Sequence, residues 1–172
     1  MSFIVRDNCI NYDSKKEQVK EWVSRTDFSR NKIQPFESDR KVGESPFYFN
    51  GFLNVFRDDI TTFVQAVKKD LRVTDVWLVR YQKGDWHPPH AHSPIGYSGI
   101  IIVDNDPDKQ MGPTFIKDVC DPLTGSTTYL GGDYGVSPGT IYYARSDMVH
   151  FTYPNPIDTP RIILSFDLKP EL

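Results

Sequence analysis

Apolar positions change period once along this chain, from helical spacing to strand alternation. Val19, Trp22 and Val23 fall on one stripe of a predicted helix. Asp13 or Ser14 can cap that helix, with Glu17 placed to close a capping box on Ser14. Ile60, Phe63, Val64 and Val67 then recur at i, i+3, i+4 and i+7. Asp58 and Asp59 suit the positive end of this second helix, and Lys68 and Lys69 the opposite end. Residues 28–50, between the two, carry Pro35, Gly43 and Pro46 and are expected to be irregular. From about residue 75 the pattern is that of strands. Val76-Trp77-Leu78-Val79-Arg80-Tyr81 is β-branched and aromatic and ends at Lys83-Gly84. Tyr97 to Val103 is a second β-forming run, stopped by Asp104-Asn105-Asp106-Pro107. Shorter strands are expected at 114–117, 127–130, 140–144, 148–153 and 160–168. Helices first and many short strands afterwards predict an α+β, mainly β fold, a sandwich or barrel packed on helices. One domain is expected, with a helical and irregular part over 1–72 and a β core over 73–172.

Composition narrows the function classes. The chain has 172 residues, enough to bury one sizeable core without disulfides or a structural metal. A formal charge of −3, with no like-charge block beyond two or three residues, offers no basic field for nucleic acid. Cys9 and Cys120 form no spaced disulfide framework, which favours a reducing compartment. The start, Met-Ser-Phe-Ile-Val-Arg, meets charge too early for a signal peptide, and no run is apolar enough to span a bilayer. A soluble cytoplasmic protein with small-molecule partners is expected, with a homodimer left open.

Candidate chemistry concentrates in the histidines. Three of the four, His87, His90 and His92, sit within Trp86-His87-Pro88-Pro89-His90-Ala91-His92. His150 follows 58 residues after His92, and Arg161 comes 11 residues later. Residues two apart on a strand face the same side, so His90 and His92 can address one ion, with His150 as a third ligand. Open facial sets of this kind suit non-haem Fe(II). A set of His87 and His90 with His150 is the other arrangement, if the loop turns before the strand. The plainer interpretation is a solvated Pro-rich loop with incidental histidines, since His-x-His alone is a weak motif. Tyr81, Tyr97, Tyr142 and Tyr143 are candidate pocket liners, although strand aromatics more often serve the core. Trp86 and the loops over 105–113 and 131–138 are where substrate specificity is expected.

These segments together resemble the Fe(II)/2-oxoglutarate-dependent oxygenases, particularly the prolyl-hydroxylase-like branch and related bacterial and tailed-phage oxygenases. Tyr81-Gln82-Lys83-Gly84-Asp85-Trp86-His87-Pro88-Pro89-His90-Ala91-His92 follows a Tyr-x-x-Gly-x5-His-x-Asp pattern, with His92 in the acidic position. Tyr97-Ser98-Gly99-Ile100-Ile101-Ile102-Val103, Gly112-Pro113-Thr114-Phe115 and Pro138-Gly139-Thr140-Ile141-Tyr142-Tyr143 resemble the strands that follow. Arg161-Ile162-Ile163-Leu164-Ser165-Phe166 matches the terminal Arg strand, and the likeness covers residues 75–168. It implies a double-stranded β-helix, or jelly roll, with His90, His92 and His150 as metal ligands and catalytic centre. It also implies that Arg161 binds the 5-carboxylate of 2-oxoglutarate, with Tyr81 in the same cosubstrate site. Strand alternation puts Ser165 on the face of Arg161, where its hydroxyl is expected to support that carboxylate. The implied activity is a dioxygenase that hydroxylates an unidentified substrate while 2-oxoglutarate becomes succinate and carbon dioxide.

Two other function classes stay open. Gly84 followed by five residues and His-x-His also resembles the first cupin motif, although Gly96 and Tyr97 occupy the place of its glutamate. A cupin-like three-His enzyme that does not use 2-oxoglutarate would fit that likeness. A jelly-roll binding module that retains a metal for stability is the non-enzymatic alternative.

Overall fold

Each secondary-structure element follows from its sequence and from the partner it finds. The computed structural model describes residues 4–30, 33–41, 43–118 and 127–171; Cys120 lies outside them. Strand β1 (Ile4–Asn8) precedes helix α1 (Tyr12–Arg25) and the two-residue strand β2 (Glu37–Ser38). Helices α2 (Phe49–Val55) and α3 (Arg57–Val67) follow. The remaining strands are β3 (Leu71–Tyr81), β4 (His87–His90), β5 (Tyr97–Asp104), β6 (Thr114–Asp118) and β7 (Thr128–Gly131). Last come β8 (Thr140–Arg145), β9 (His150–Thr152) and β10 (Arg161–Pro170). A six-stranded sheet has the order β1-β8-β5-β10-β3-β2, and a four-stranded sheet the order β4-β9-β6-β7. All pairings are antiparallel.

From β3 to β10 the chain passes from one sheet to the other at every connection except β6 to β7. That alternation winds two facing sheets into the jelly roll that the sequence leads one to expect. The large sheet buries both faces. Outward residues Leu78, Ile101, Ile141, Leu164 and Phe166 pack beneath the helices with Trp22, Phe52 and Phe63. Inward residues Trp77, Val79, Tyr81, Ile100, Ile102 and Ile163 meet Phe115 from the small sheet. Strand β10 reads this division with period two. Ile162, Leu164, Phe166 and Leu168 face the helices, so Arg161, Ile163, Ser165 and Asp167 face the space between the sheets.

Several elements differ from the sequence pattern. Residues 4–8 form an edge strand on β8, and β3 begins at Leu71, five residues before Val76, because Leu71–Val73 pairs with the end of β10. Both depend on partners distant in sequence. Helix α1 is capped by Asn11 in a left-handed conformation without a side-chain cap bond. Ser14 lies inside the helix, its hydroxyl donating to the Asn11 carbonyl at 2.8 Å, so the expected capping box is absent. Among the described residues no helix is long and apolar enough to cross a membrane.

One contact makes the packing on the helix side testable. Gly99 pairs with Phe166 across β5 and β10, and a Cβ on Gly99 would come within 2.0 Å of the Phe166 ring. The ring is fully buried against Phe52 and Tyr143 and has nowhere to move. Gly99→Ala should therefore destabilise the fold by about 1–3 kcal/mol, as overpacking does. Chemical denaturation checks this, and an unchanged midpoint would refute the packing account.

Candidate metal centre

Strand β4 is rich in proline, which it tolerates as an edge strand of the small sheet because Pro88 and Pro89 have no N–H to donate to a ladder. Its only neighbour is β9, and the register sets His90 directly opposite His150, with ring centroids 4.3 Å apart. The chain leaves the strand after His90. The His92 amide donates to the Ser146 carbonyl at 2.9 Å, which hooks the backbone back toward the site. His92 Nε2 then lies 3.3 Å from His90 Nε2. The two rings therefore meet through this hook, and not as alternate positions of one strand. One ligand atom from each of His90, His92 and His150 lies within 4.8 Å of the other two.

Hydrogen bonds at the opposite ring nitrogens fix the tautomers. Nδ1 of His90 contacts the Pro88 carbonyl at 2.8 Å, and Nδ1 of His150 contacts the Met148 carbonyl at 3.1 Å. Nδ1 of His92 contacts Asp167 Oδ1 at 2.7 Å. Carbonyl and carboxylate oxygens only accept, so each Nδ1 carries the proton and each Nε2 presents a lone pair. Lone pairs facing one another repel unless a cation lies between them. A first-row metal about 2.1 Å from each imidazole would hold the nitrogens ~3 Å apart, close to the observed His90–His92 separation. The donor set fits a divalent ion.

Burial keeps His90 and His150 neutral. Burial, followed by neighbouring imidazoles, pushes His150 down to about 3 and His87 down to about 2, and burial lowers His90 as well. Burial pulls the Asp167 carboxyl upward. Its bonds and charges with His92, its bond with Ser98 and the Arg40 charge together hold it below the ordinary value.

His87 stands outside the ligand set. Its ring stacks on His90 at 3.9 Å and packs on Phe36 at 4.0 Å, while Nδ1 contacts the Tyr81 hydroxyl at 3.1 Å. Tyr97 and Tyr143 face the helices; Tyr142 lies between the sheets. Trp86 is exposed and lines neither cavity beside the histidines. Two cavities flank the cluster. One of about 800 Å³ opens to solvent and is lined by Arg30, Gln34, Phe36, Arg40, Trp77 and the histidines 87, 90 and 92, among others. The other, about 20 Å³, lies inside the jelly roll against His150, Tyr81, Ile100, Ile163 and Ser165, with room for roughly one water.

Arg161 lies one side chain behind this inner cavity. Its guanidinium packs over the Tyr81 ring at 4.5 Å and donates from Nη1 to the Met111 carbonyl at 2.9 Å and from Nη2 to the Tyr153 carbonyl at 3.1 Å. Nε is buried without a partner, and no carboxylate pairs with this cation among the described residues. Burial lowers its affinity for the proton. Ser165 is four residues along β10, about 13 Å at the rise of a strand. Ser165 lines the inner cavity, and Arg161 is not among the residues lining it.

The structure adds residues that the sequence pattern left unassigned. Phe36, Arg40 and Trp77 wall the open pocket, and Arg40 lies 4.0 Å over the Trp77 ring. Asp167 and Ser98 hold His92 from behind. The alternation of β10 carries one usable signal, since an acidic residue at an inward position of a buried strand needs a partner.

No protein-family model and no curated protein matches the chain. Solved structures match its fold. The non-heme alpha-ketoglutarate-dependent epimerase SnoN from nogalamycin biosynthesis superposes with a TM-score of 0.71 at 12% identity, over 98% of this chain and 78% of that one. A prolyl-4-hydroxylase from Pseudomonas putida gives 0.66 at 9%, over 99% and 94%. HygX from Streptomyces hygroscopicus, with nickel and 2-oxoglutarate bound, gives 0.66 at 9%, over 99% and 84%. At these identities the likeness establishes a shared jelly-roll fold.

The ligand assignment predicts that His90→Ala and His150→Ala each weaken Co(II) binding at least tenfold, whereas His87→Ala keeps one ion per chain. Metal analysis after desalting checks this. Loss of the ion in His87→Ala with retention in His150→Ala would reverse the assignment.

Proposed function

We propose that this chain is a non-haem Fe(II)/2-oxoglutarate-dependent dioxygenase that hydroxylates a small molecule. The observation that carries this reading is the convergence of one ring nitrogen from each of His90, His92 and His150 beside an open pocket of about 800 Å³. A volume of that size is typical of small-molecule sites. The likeness to SnoN, HygX and a prolyl-4-hydroxylase supports it, since structures of HygX hold nickel, 2-oxoglutarate and hygromycin B. The redox chemistry, conversion of 2-oxoglutarate and dioxygen to succinate, carbon dioxide and a hydroxylated product, belongs to the bound iron with its cosubstrate.

The residues of this chain supply position and a dry wall. His90, His92 and His150 would hold the metal, which would supply the redox chemistry. Phe36 and Trp77 on one side, and Ile100 and Ile163 on the other, keep water away from the reacting atoms. Arg161 is assigned to the distal carboxylate of 2-oxoglutarate. A buried guanidinium without a counter-ion is costly, and an anionic ligand removes that cost. Its planar fork retains donors for a carboxylate beyond the two bonds to carbonyls. Because Tyr81 lies between Arg161 and the inner cavity, cosubstrate entry requires the Tyr81–His87 contact to open.

One observation favours a second anchor. Arg30, paired with Asp85, and Arg40, 3.7 Å from Asp167, line the open pocket, and among the described residues no carboxylate lines it. The test is anaerobic titration of 2-oxoglutarate into the Fe(II)-loaded protein, following the charge-transfer absorbance, and then succinate formation on admission of oxygen. Arg161→Ala should weaken 2-oxoglutarate binding at least tenfold with metal content unchanged. Loss in Arg40→Ala and not in Arg161→Ala would move the anchor to the open pocket. Metal binding without 2-oxoglutarate binding or succinate would instead favour a three-His enzyme that does not use this cosubstrate.

A further inference from the structure

His92 stands where the resemblance leads one to expect an acid, so the ligand set at 90, 92 and 150 brings no negative charge of its own to a divalent ion. The missing charge is nearby. Asp167 Oδ1 lies 2.7 Å from His92 Nδ1, and both side chains are more than nine-tenths buried, with 3% and 7% exposed. Ser98 donates its hydroxyl to the same oxygen at 2.9 Å and contacts Ser146 at 3.2 Å. The other carboxylate oxygen, Oδ2, lies 3.7 Å from Arg40, a half-exposed side chain at the mouth of the pocket. Asp167 is delivered by the inward alternation of β10, and Ser98 by its cross-strand position on β5.

We propose that Asp167 is a positioning residue that supplies, through the His92 ring, the negative charge that an acidic ligand at position 92 would have given directly. The inference rests on the metal assignment above. A carboxylate hydrogen-bonded to the far nitrogen of a ligating imidazole orients the ring and makes its other nitrogen a stronger donor. Burial strengthens the effect, because little solvent screens the carboxylate from the ring. The pair at 92 and 167 thus makes one anionic ligand unit from two residues. Its ligating atom is nitrogen, and its charge is one ring removed from the metal.

The experiment measures Co(II) affinity by competition with a chromophoric chelator, alongside the visible Co(II) spectrum and the melting temperature of the metal-free protein. Asp167→Asn keeps the shape and removes the charge, and should weaken Co(II) by about 10–100-fold with a shifted spectrum. In a His92→Asp background, where the ligand itself is acidic, adding Asp167→Asn should cost no affinity. Equal affinity in Asp167→Asn and the parent overturns the proposal, and so does an equal loss with and without His92→Asp, which would mark a merely structural role. If Asp167→Asn alone does not fold, His92→Asp with and without Asp167→Asn gives the same comparison, and a tenfold loss there overturns it. A parent protein that binds no Co(II) overturns the metal assignment and this inference with it, an outcome distinct from a parent that binds and a variant that is unaffected.

Discussion

Three imidazole rings converge between two sheets, and the hydrogen bonds at their far nitrogens turn lone pairs toward one another. The Pro88 and Met148 carbonyls and the Asp167 carboxylate each hold the opposite nitrogen as a donor. Turning any ring over would trade that bond for a buried N–H facing its neighbours. Protonating His90 or His150 is opposed by burial, which lowers His90 and pushes His150 down to about 3. A cation between the rings would satisfy the cluster, with imidazole nitrogens in front and a carboxylate behind.

The jelly roll makes this arrangement rigid. His90 and His150 are neighbours because β4 and β9 pair in one register; a slip of one residue would turn one ring away from the other. Asp167 comes from the opposite sheet, so the site closes only when both sheets are in place. The same strand places Arg161 at its far end, where a buried cation is held by backbone carbonyls and an aromatic face, with no balancing carboxylate among the described residues. Both features are unfavourable for the empty protein. A cation at the first and an anion at the second would offset these costs.

Much of the fold was legible in the chain. The stripe of Ile60, Phe63, Val64 and Val67 became α3, and the β-branched runs became β3, β5 and β10 within a few residues. Local periodicity suffices there because one face of each element is buried. The first strand was not legible, since Ile-Val-Arg-Asp-Asn is β only through pairing with β8. Likewise, β4 carries two prolines and reads as a loop until its place at a sheet edge is known.

By itself the sequence determined the histidine inventory, the spacing to Arg161 and a period on β10 that puts Ser165 on the face of Arg161. Covalent order and strand alternation set those, and both are local. Tertiary structure decided which nitrogens meet. It chose His92 over His87 through one backbone bond to Ser146, assigned Asp167 to His92, and put Tyr81 between Arg161 and the inner cavity. Each of these is a contact between strands far apart in sequence, made by register and side-chain direction. No local pattern encodes that geometry until the two sheets close on one another.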